Sequence, residues 1–118
     1  DGLTGDSIHV SGDGTPYRSY LYSADLAIWL WTLLFRGTPG EAYNVGSEDV
    51  ISIGELACEV AAFFPNLPEV VIAKTPIPGR EAELYVPSIK KARDSLDLNS
   101  WINLKDALHR TIKWNQSF

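Results

Sequence analysis

Two arginines stand on segments rich in turn-forming residues, where a guanidinium can reach a ligand. Arg18 follows the turn Gly12-Asp13-Gly14, and Arg80 follows Pro78-Gly79. A planar guanidinium holds a phosphate through two parallel hydrogen bonds, and binding groups concentrate on loops of this kind. Two arginines that converge on one diphosphate would form a coherent anion site.

Each arginine also has a simpler interpretation, which is an ion pair at the protein surface. The chain has 15 acidic residues, so partners for Arg18 are plentiful, and Glu81 and Glu83 lie beside Arg80. Exposed ion pairs are common and contribute little to stability. Spacing along the chain does not show convergence, so both interpretations stay open at this point.

The remaining reactive side chains are isolated from one another. Cys58 lies in a helical pattern, where a small buried side chain is expected, and His9 and His109 have no neighbours at metal-ligand spacing. We therefore assign no catalytic residue, no cofactor-binding residue and no metal ligand. Three tyrosines could stack on a base or a sugar, or simply pack beside a strand: Tyr17, Tyr20 and Tyr22.

Two sequence patterns of dinucleotide-dependent redox enzymes are missing from the chain. The Gly12-Asp13-Gly14 segment runs on into Thr15-Pro16-Tyr17, so it does not continue as Gly-x-Gly-x-x-Gly. No tyrosine is followed four residues later by lysine, which excludes a Tyr-x-x-x-Lys proton-transfer pair. The chain alone therefore has no visible means of moving a hydride.

Composition predicts one small globular domain over residues 1–118 and excludes some partners. The hydrophobic share of 45% supports a core, and the net charge of -5 without a basic stripe argues against a nucleic-acid partner. The longest apolar run, 26–35, is half a membrane span, and the single cysteine favours a cytoplasmic location. Because the chain begins with Asp1 and contains no methionine, we expect it to be a piece of a longer protein.

Short strands are predicted at 7–10, 42–45 and 70–73, and an extended segment at 17–22, from β-branched or aromatic runs between turn formers. Helices are predicted at four places, each with a local start signal: 26–35 after Ser23 or Asp25, 53–64 with the capping box Ser52-Ile53-Gly54-Glu55, 89–96 after Ser88, and a last one after Asn103. The first helix is apolar nearly all round and must be covered on several sides. Strands alternating with helices indicate the α/β class.

Five segments, in order along the chain, are similar to motifs of the extended short-chain dehydrogenase/reductase family, which contains NAD-dependent epimerases and dehydratases. Residues 12–27 resemble its GDGTxxRDxxYVxDLA segment, 43–47 its YNVGS strand and turn, and 51–57 its xSIxELA helix start. Residues 78–83 resemble PxRxGD, and 85–93 resemble YxxDxxKAxxxLGW. The resemblance covers nearly the whole chain.

The resemblance implies that the chain is the C-terminal, substrate-binding portion of such an enzyme, without its N-terminal NAD-binding Rossmann domain. It implies that Arg18 and Arg80 contact the phosphates of a nucleotide-diphosphate sugar, with Glu83 and Tyr85 beside them. It also implies that the 43–45 strand completes the edge of the missing domain's sheet. The chain departs from the motifs at Ser19, Glu83 and Ser88, where the family has Asp.

The favoured hypothesis is a nucleotide-sugar 4,6-dehydratase of the dTDP-glucose type, with NAD as cofactor of the parent enzyme and no activity in this portion alone. The alternatives are an NAD-dependent 4-epimerase fragment and a non-catalytic binding or interaction module. Removing a partner domain exposes apolar surface, so the isolated chain is expected to self-associate through the helix that begins near Leu26, as a homodimer or larger assembly.

Overall fold

Helices and short strands alternate along the chain in the computed structural model, which describes residues 1–117. The strands are β1 (Ile8–Val10), β2 (Tyr17–Arg18), β3 (Ile51–Ser52), β4 (Val70–Ile72) and β5 (Leu84–Tyr85). The helices are α1 (Ser23–Arg36), α2 (Ile53–Ala62), α3 (Lys90–Leu96) and α4 (Leu104–Asn115). The predicted α/β class with about four helices is confirmed.

The strands form two small sheets. β1 pairs in parallel with β4, with Ile8 opposite Val70. In the second sheet β2 is central: it pairs antiparallel with β3 and in parallel with β5, so that Arg18 lies opposite Tyr85. The extended segment predicted at 17–22 is shorter than expected, and β3 and β5 were not predicted.

The core lies between α1 and α3. Trp29 is completely buried, and its indole N–H donates to the carbonyl oxygen of Asn99 at 2.9 Å. The hydrogen bond satisfies the polar end of a side chain whose rings supply most of the apolar contact. Four buried residues complete the cluster: Ile89, Ala92, Leu96 and Leu98.

Two of the helix starts follow the local sequence signals. Ser52 Oγ accepts from the N–H of Glu55 at 3.1 Å while the Glu55 carboxylate accepts from the N–H of Ser52 at 2.9 Å, which completes the predicted capping box. The same hydrogen bonds hold the pKa of Glu55 below its usual value. Asn103 caps α4 through the N–H of Asp106 at 2.9 Å, also as predicted.

The other two predicted caps are wrong. α1 begins at Ser23 without a side-chain cap, and the buried Asp25 carboxylate instead accepts from the N–H of Ile102 at 2.9 Å. At α3 the N-cap residue is Ile89 rather than Ser88; the Ser88 hydroxyl accepts from the N–H of Lys90 at 3.5 Å, and the carboxylate of the distant Glu48 accepts from the N–H of Ile89 at 3.1 Å. At both helix starts a side chain takes part in a hydrogen bond with a distant part of the chain.

Two further expectations need correction. Cys58 is exposed on α2 rather than buried, because the inward face of that helix is formed by Ala57 and Ala61. Residues 42–45 are not a strand, since no segment within residues 1–117 pairs with them. A strand is defined by a hydrogen-bonded neighbour, and this one has none in the part of the chain described.

The molecule is flat and exposes more surface than a self-contained domain of its mass. Its extents are 47 × 44 × 17 Å and its Cα radius of gyration is 16.9 Å, against about 13.5 Å for a compact chain of this length. The accessible surface is 8088 Å², whereas about 6,400 Å² is usual for 13.1 kDa. Much of the excess is apolar: on α1, Ile28, Leu30, Trp31, Leu34 and Phe35 are all exposed.

Glu48 is expected to make part of the stability depend on pH. Its carboxylate accepts from Arg93 at 2.8 Å and from the N–H of Ile89, and these contacts hold the pKa of Glu48 below its ordinary value of 4.5. A lowered pKa adds stability that is present above pH 4.5 and is lost as the pH falls through the folded-state pKa.

Glu48→Gln should therefore be less stable than wild type at pH 6, and the difference should shrink progressively as the pH falls below 4.5. Urea unfolding at a series of pH values measures this, with the exposed Glu59→Gln as a control for loss of a carboxylate. A difference between Glu48→Gln and wild type that stays constant over the whole range would contradict the prediction.

Candidate functional site

A cleft of about 340 Å³ lies between the turn that follows β1 and the loop that follows β4. Two cations and three carboxylates reach it, so it is strongly polar but not uniformly basic. The lining residues are Gly12, Asp13, Thr15, Pro16, Lys74, Pro76, Ile77, Arg80, Glu81 and Glu83.

The turn on one side of the cleft is held by its own side chains. Asp13 Oδ1 accepts from the N–H of Thr15 at 3.0 Å and from its hydroxyl at 2.8 Å. These bonds, with a smaller contribution from the positive charge of Arg80, keep the pKa of Asp13 below its usual range. Gly14 has φ +75° and lies close to Gly54. A Cβ added at Gly14 would lie 3.3 Å from the Cα of Gly54. The backbone conformation therefore favours glycine at this position, and the close approach to Gly54 adds to the preference.

The loop on the other side presents Arg80. Its N–H donates to the carbonyl of Ile77 at 3.1 Å, and Gly79 takes φ +79°, which closes the turn just before the arginine. At the start of this loop the N–H of Lys74 donates to the carbonyl of Gly12 at 3.1 Å. The pairing of β1 with β4 thus brings the two loops together, although they are some 60 residues apart in sequence.

Arg18 lies beside the cleft rather than in its lining. Its Nη1 donates to the carbonyl of Tyr17 at 2.8 Å, and its Nη2 pairs with Glu83 Oε2 at 3.1 Å. The sequence left open whether Arg18 pairs with a carboxylate. In the structure it does, and the carboxylate is that of Glu83. Tyr85, opposite Arg18 in the sheet, is 75% exposed and is not among the lining residues.

Of the four predicted site residues, the fold thus brings Arg80 and Glu83 into one cleft, places Arg18 in contact with Glu83, and leaves Tyr85 at the margin. Sequence reasoning missed Lys74 as a lining residue. Its position directly after a predicted strand was the available signal, because strand ends commonly carry binding groups in α/β folds.

His109, another of the reactive side chains, packs against an aromatic ring. Its imidazole meets the ring of Phe63 edge-on, with 6.2 Å between ring centroids. No group of three or more metal-binding side chains occurs among residues 1–117. None of the helices in that range is long and apolar enough to cross a membrane.

The fold has close counterparts among solved structures. The enzyme WbmF of Bordetella bronchiseptica, in complex with NAD+ and UDP, superimposes with a TM-score of 0.83 at 28% identity. The match covers 98% of this chain and 33% of WbmF. The fold is that of a part of the extended short-chain dehydrogenases/reductases.

Curated relatives extend the likeness to sequence. dTDP-glucose 4,6-dehydratase of Neisseria gonorrhoeae is 28% identical over 95% of this chain. A trifunctional UDP-glucose 4,6-dehydratase/UDP-4-keto-6-deoxy-D-glucose 3,5-epimerase/UDP-4-keto-L-rhamnose-reductase of Arabidopsis thaliana is 29% identical over 95% of the chain. No protein-family profile matches the chain. These relatives, together with the fold, show that the chain is similar over nearly its whole length to NAD-dependent epimerases and dehydratases.

The chain spans only part of those proteins. It covers 35% of the Neisseria dehydratase and 17% of the Arabidopsis enzyme. The comparisons therefore show a likeness to one portion of nucleotide-sugar dehydratases and epimerases.

Proposed function

We propose that this chain is the C-terminal, nucleotide-sugar-binding portion of an NAD-dependent 4,6-dehydratase that acts on dTDP-glucose. The observation that carries the proposal is the cleft in which Arg80 and Lys74 face the Gly12–Pro16 turn, on a chain related to dTDP-glucose 4,6-dehydratases. The lysine and arginine side chains supply the donors that a diphosphate requires.

In this proposal Arg80 and Arg18 hold the diphosphate, and Glu83 and Tyr85 lie beside it. NAD would be held by another part of the parent enzyme and would supply the redox chemistry, taking up the hydride from C4 of the sugar and returning it to the sugar after water is lost. The residues of this chain bind and orient the substrate and move no proton in the reaction. The chain alone is therefore expected to be inactive.

Nucleotide-sugar 4-epimerase is the second candidate, because it begins with the same hydride transfer and uses the same diphosphate grip. A non-catalytic binding module would retain that grip alone. The three functions share the cleft and differ in residues that this chain does not carry.

The flat shape supports a further part of the proposal, which is that the rest of a larger enzyme covers α1. The excess of about 1,700 Å² of accessible surface, relative to a compact domain, matches the area of a standard protein interface. Residues 42–45 have a strand-like sequence and are unpaired within the described chain, which suits a strand that completes a neighbouring sheet. Without that partner, α1 is expected to drive self-association. We place the protein in the cytoplasm, since its one cysteine has no partner for an internal disulfide.

Ligand-detected NMR on the isolated chain with dTDP-glucose, UDP-glucose, CDP-glucose and NAD tests the proposal. We expect dTDP-glucose to bind and NAD not to bind. Arg80→Ala should weaken dTDP-glucose binding about tenfold or more, the loss expected for a charge-assisted hydrogen bond to phosphate. Arg110→Ala, on the exposed face of α4, is the matched control and should change nothing.

Equal binding by wild type and Arg80→Ala would overturn the assignment of the cleft. Tighter binding of UDP-glucose or CDP-glucose than of dTDP-glucose would keep the cleft and change the nucleotide. Binding of NAD by the isolated chain would contradict the placement of the cofactor in another part of the enzyme.

A further inference from the structure

The guanidinium of Arg18 already has two acceptors within the protein. Nη1 donates to the carbonyl of Tyr17, and Nη2 donates to the Glu83 carboxylate at 3.1 Å. Glu83 also lines the cleft that Arg80 borders, whereas Arg18 is not among the described lining residues. The Glu83 carboxylate is therefore the group that links the cleft to Arg18.

This ion pair is of the kind that exchanges readily. The side chain of Arg18 is 32% exposed and that of Glu83 is 64% exposed, so water screens the attraction and the pair is held weakly. Glu83 also lies just before β5, in an exposed segment where few contacts resist a change of rotamer. A phosphate offers the same guanidinium more negative charge and a matching pair of oxygens.

We propose that Glu83 is an internal counter-anion, which occupies Arg18 until a diphosphate held at Arg80 displaces it. The proposal rests on the proposed function, because it concerns the same cleft. In the displaced arrangement the diphosphate bridges the two arginines and the carboxylate turns to solvent. Glu83 thereby competes with the ligand and lowers its affinity, although it belongs to the site.

Calorimetric titration of the 118-residue chain with inorganic pyrophosphate tests the displacement. Glu83→Gln keeps the size of the side chain and removes its charge, so the variant should bind pyrophosphate about three- to fivefold more tightly than wild type, the upper part of the range for a surface ion pair. Glu81→Gln is the matched control, because Glu81 lines the same cleft and has no ion pair among the described residues. It should gain no more than about twofold.

A second readout follows Arg18 directly. The side-chain Nε–H resonance of Arg18, assigned by its loss in Arg18→Lys, should shift when pyrophosphate is added to wild type. In Glu83→Gln it should start from a different position and shift again on addition.

Weaker binding by Glu83→Gln would show that Glu83 contacts the ligand and would overturn the proposal, as would equal affinities of Glu83→Gln and Glu81→Gln. If neither wild type nor Glu83→Gln binds pyrophosphate, a released Arg18 does not make an anion site, and the displacement is also refuted. The two proposals fail separately: Arg80-dependent binding of dTDP-glucose without a gain in Glu83→Gln refutes the displacement alone.

Discussion

Trp29→Ala is expected to lower the free energy of unfolding by about 3–5 kcal/mol, the usual cost of removing a fully buried large aromatic side chain. Trp29 has no exposed surface, contacts the α3 residues of the core and donates to the carbonyl of Asn99. A domain of this size is stable by only about 6–18 kcal/mol, so the variant should lose a large part of its margin.

Guanidinium unfolding followed by far-UV circular dichroism measures the loss without depending on tryptophan fluorescence. Trp101→Ala is the control, since Trp101 is 50% exposed and should cost less than about 1 kcal/mol. Trp29→Phe separates the two contributions of the indole, because it keeps most of the packing but leaves the Asn99 carbonyl without its donor. Equal losses of unfolding free energy for Trp29→Ala and Trp101→Ala would show that the core between α1 and α3 is not the main source of stability.

The second large effect is expected at the exposed face of α1. The rings of Trp31 and Phe35 stack 5.6 Å apart, and the two residues are 62% and 76% exposed. Each ring can bury about 150–250 Å² against a partner, and interface aromatics often contribute 2 kcal/mol or more. The isolated chain should therefore self-associate, and the double variant Trp31→Gln/Phe35→Gln should raise the dissociation constant at least tenfold.

Sedimentation velocity across a concentration series measures the effect. Trp101→Gln removes an exposed aromatic ring from another segment and should leave the association unchanged. A wild-type chain that stays monomeric at every concentration would contradict the prediction, and so would equal dissociation constants for wild type and the double variant.

At the helix ends, some hydrogen bonds join residues that are close in sequence and others join residues that are far apart. The Ser52–Glu55 capping box joins groups three residues apart, and Asn103 reaches Asp106 over the same distance, so both were predictable. Asp25 was expected to serve its own helix, but its carboxylate bonds to Ile102, 77 residues away. Nothing in the local sequence distinguishes these two uses of an aspartate.

The strands show the same division. Val70–Ile72 was predicted from its β-branched residues, while Leu84–Tyr85 is a strand only because it lies beside Tyr17–Arg18. Residues 42–45 have strand-like sequence, yet they are unpaired within residues 1–117. A strand needs a neighbour that donates and accepts, and composition cannot supply one.

For the candidate site, the sequence by itself determined the residue types and the loops: a guanidinium after Pro78-Gly79, another after Gly12-Asp13-Gly14, and the family motifs that contain them. Only the tertiary structure decided that Lys74 joins the cleft and that Glu83 pairs with Arg18, 65 residues away. The reason is physical. Turn and cap preferences depend on atoms a few residues apart, whereas ion pairs and cleft walls depend on strand pairing between distant segments.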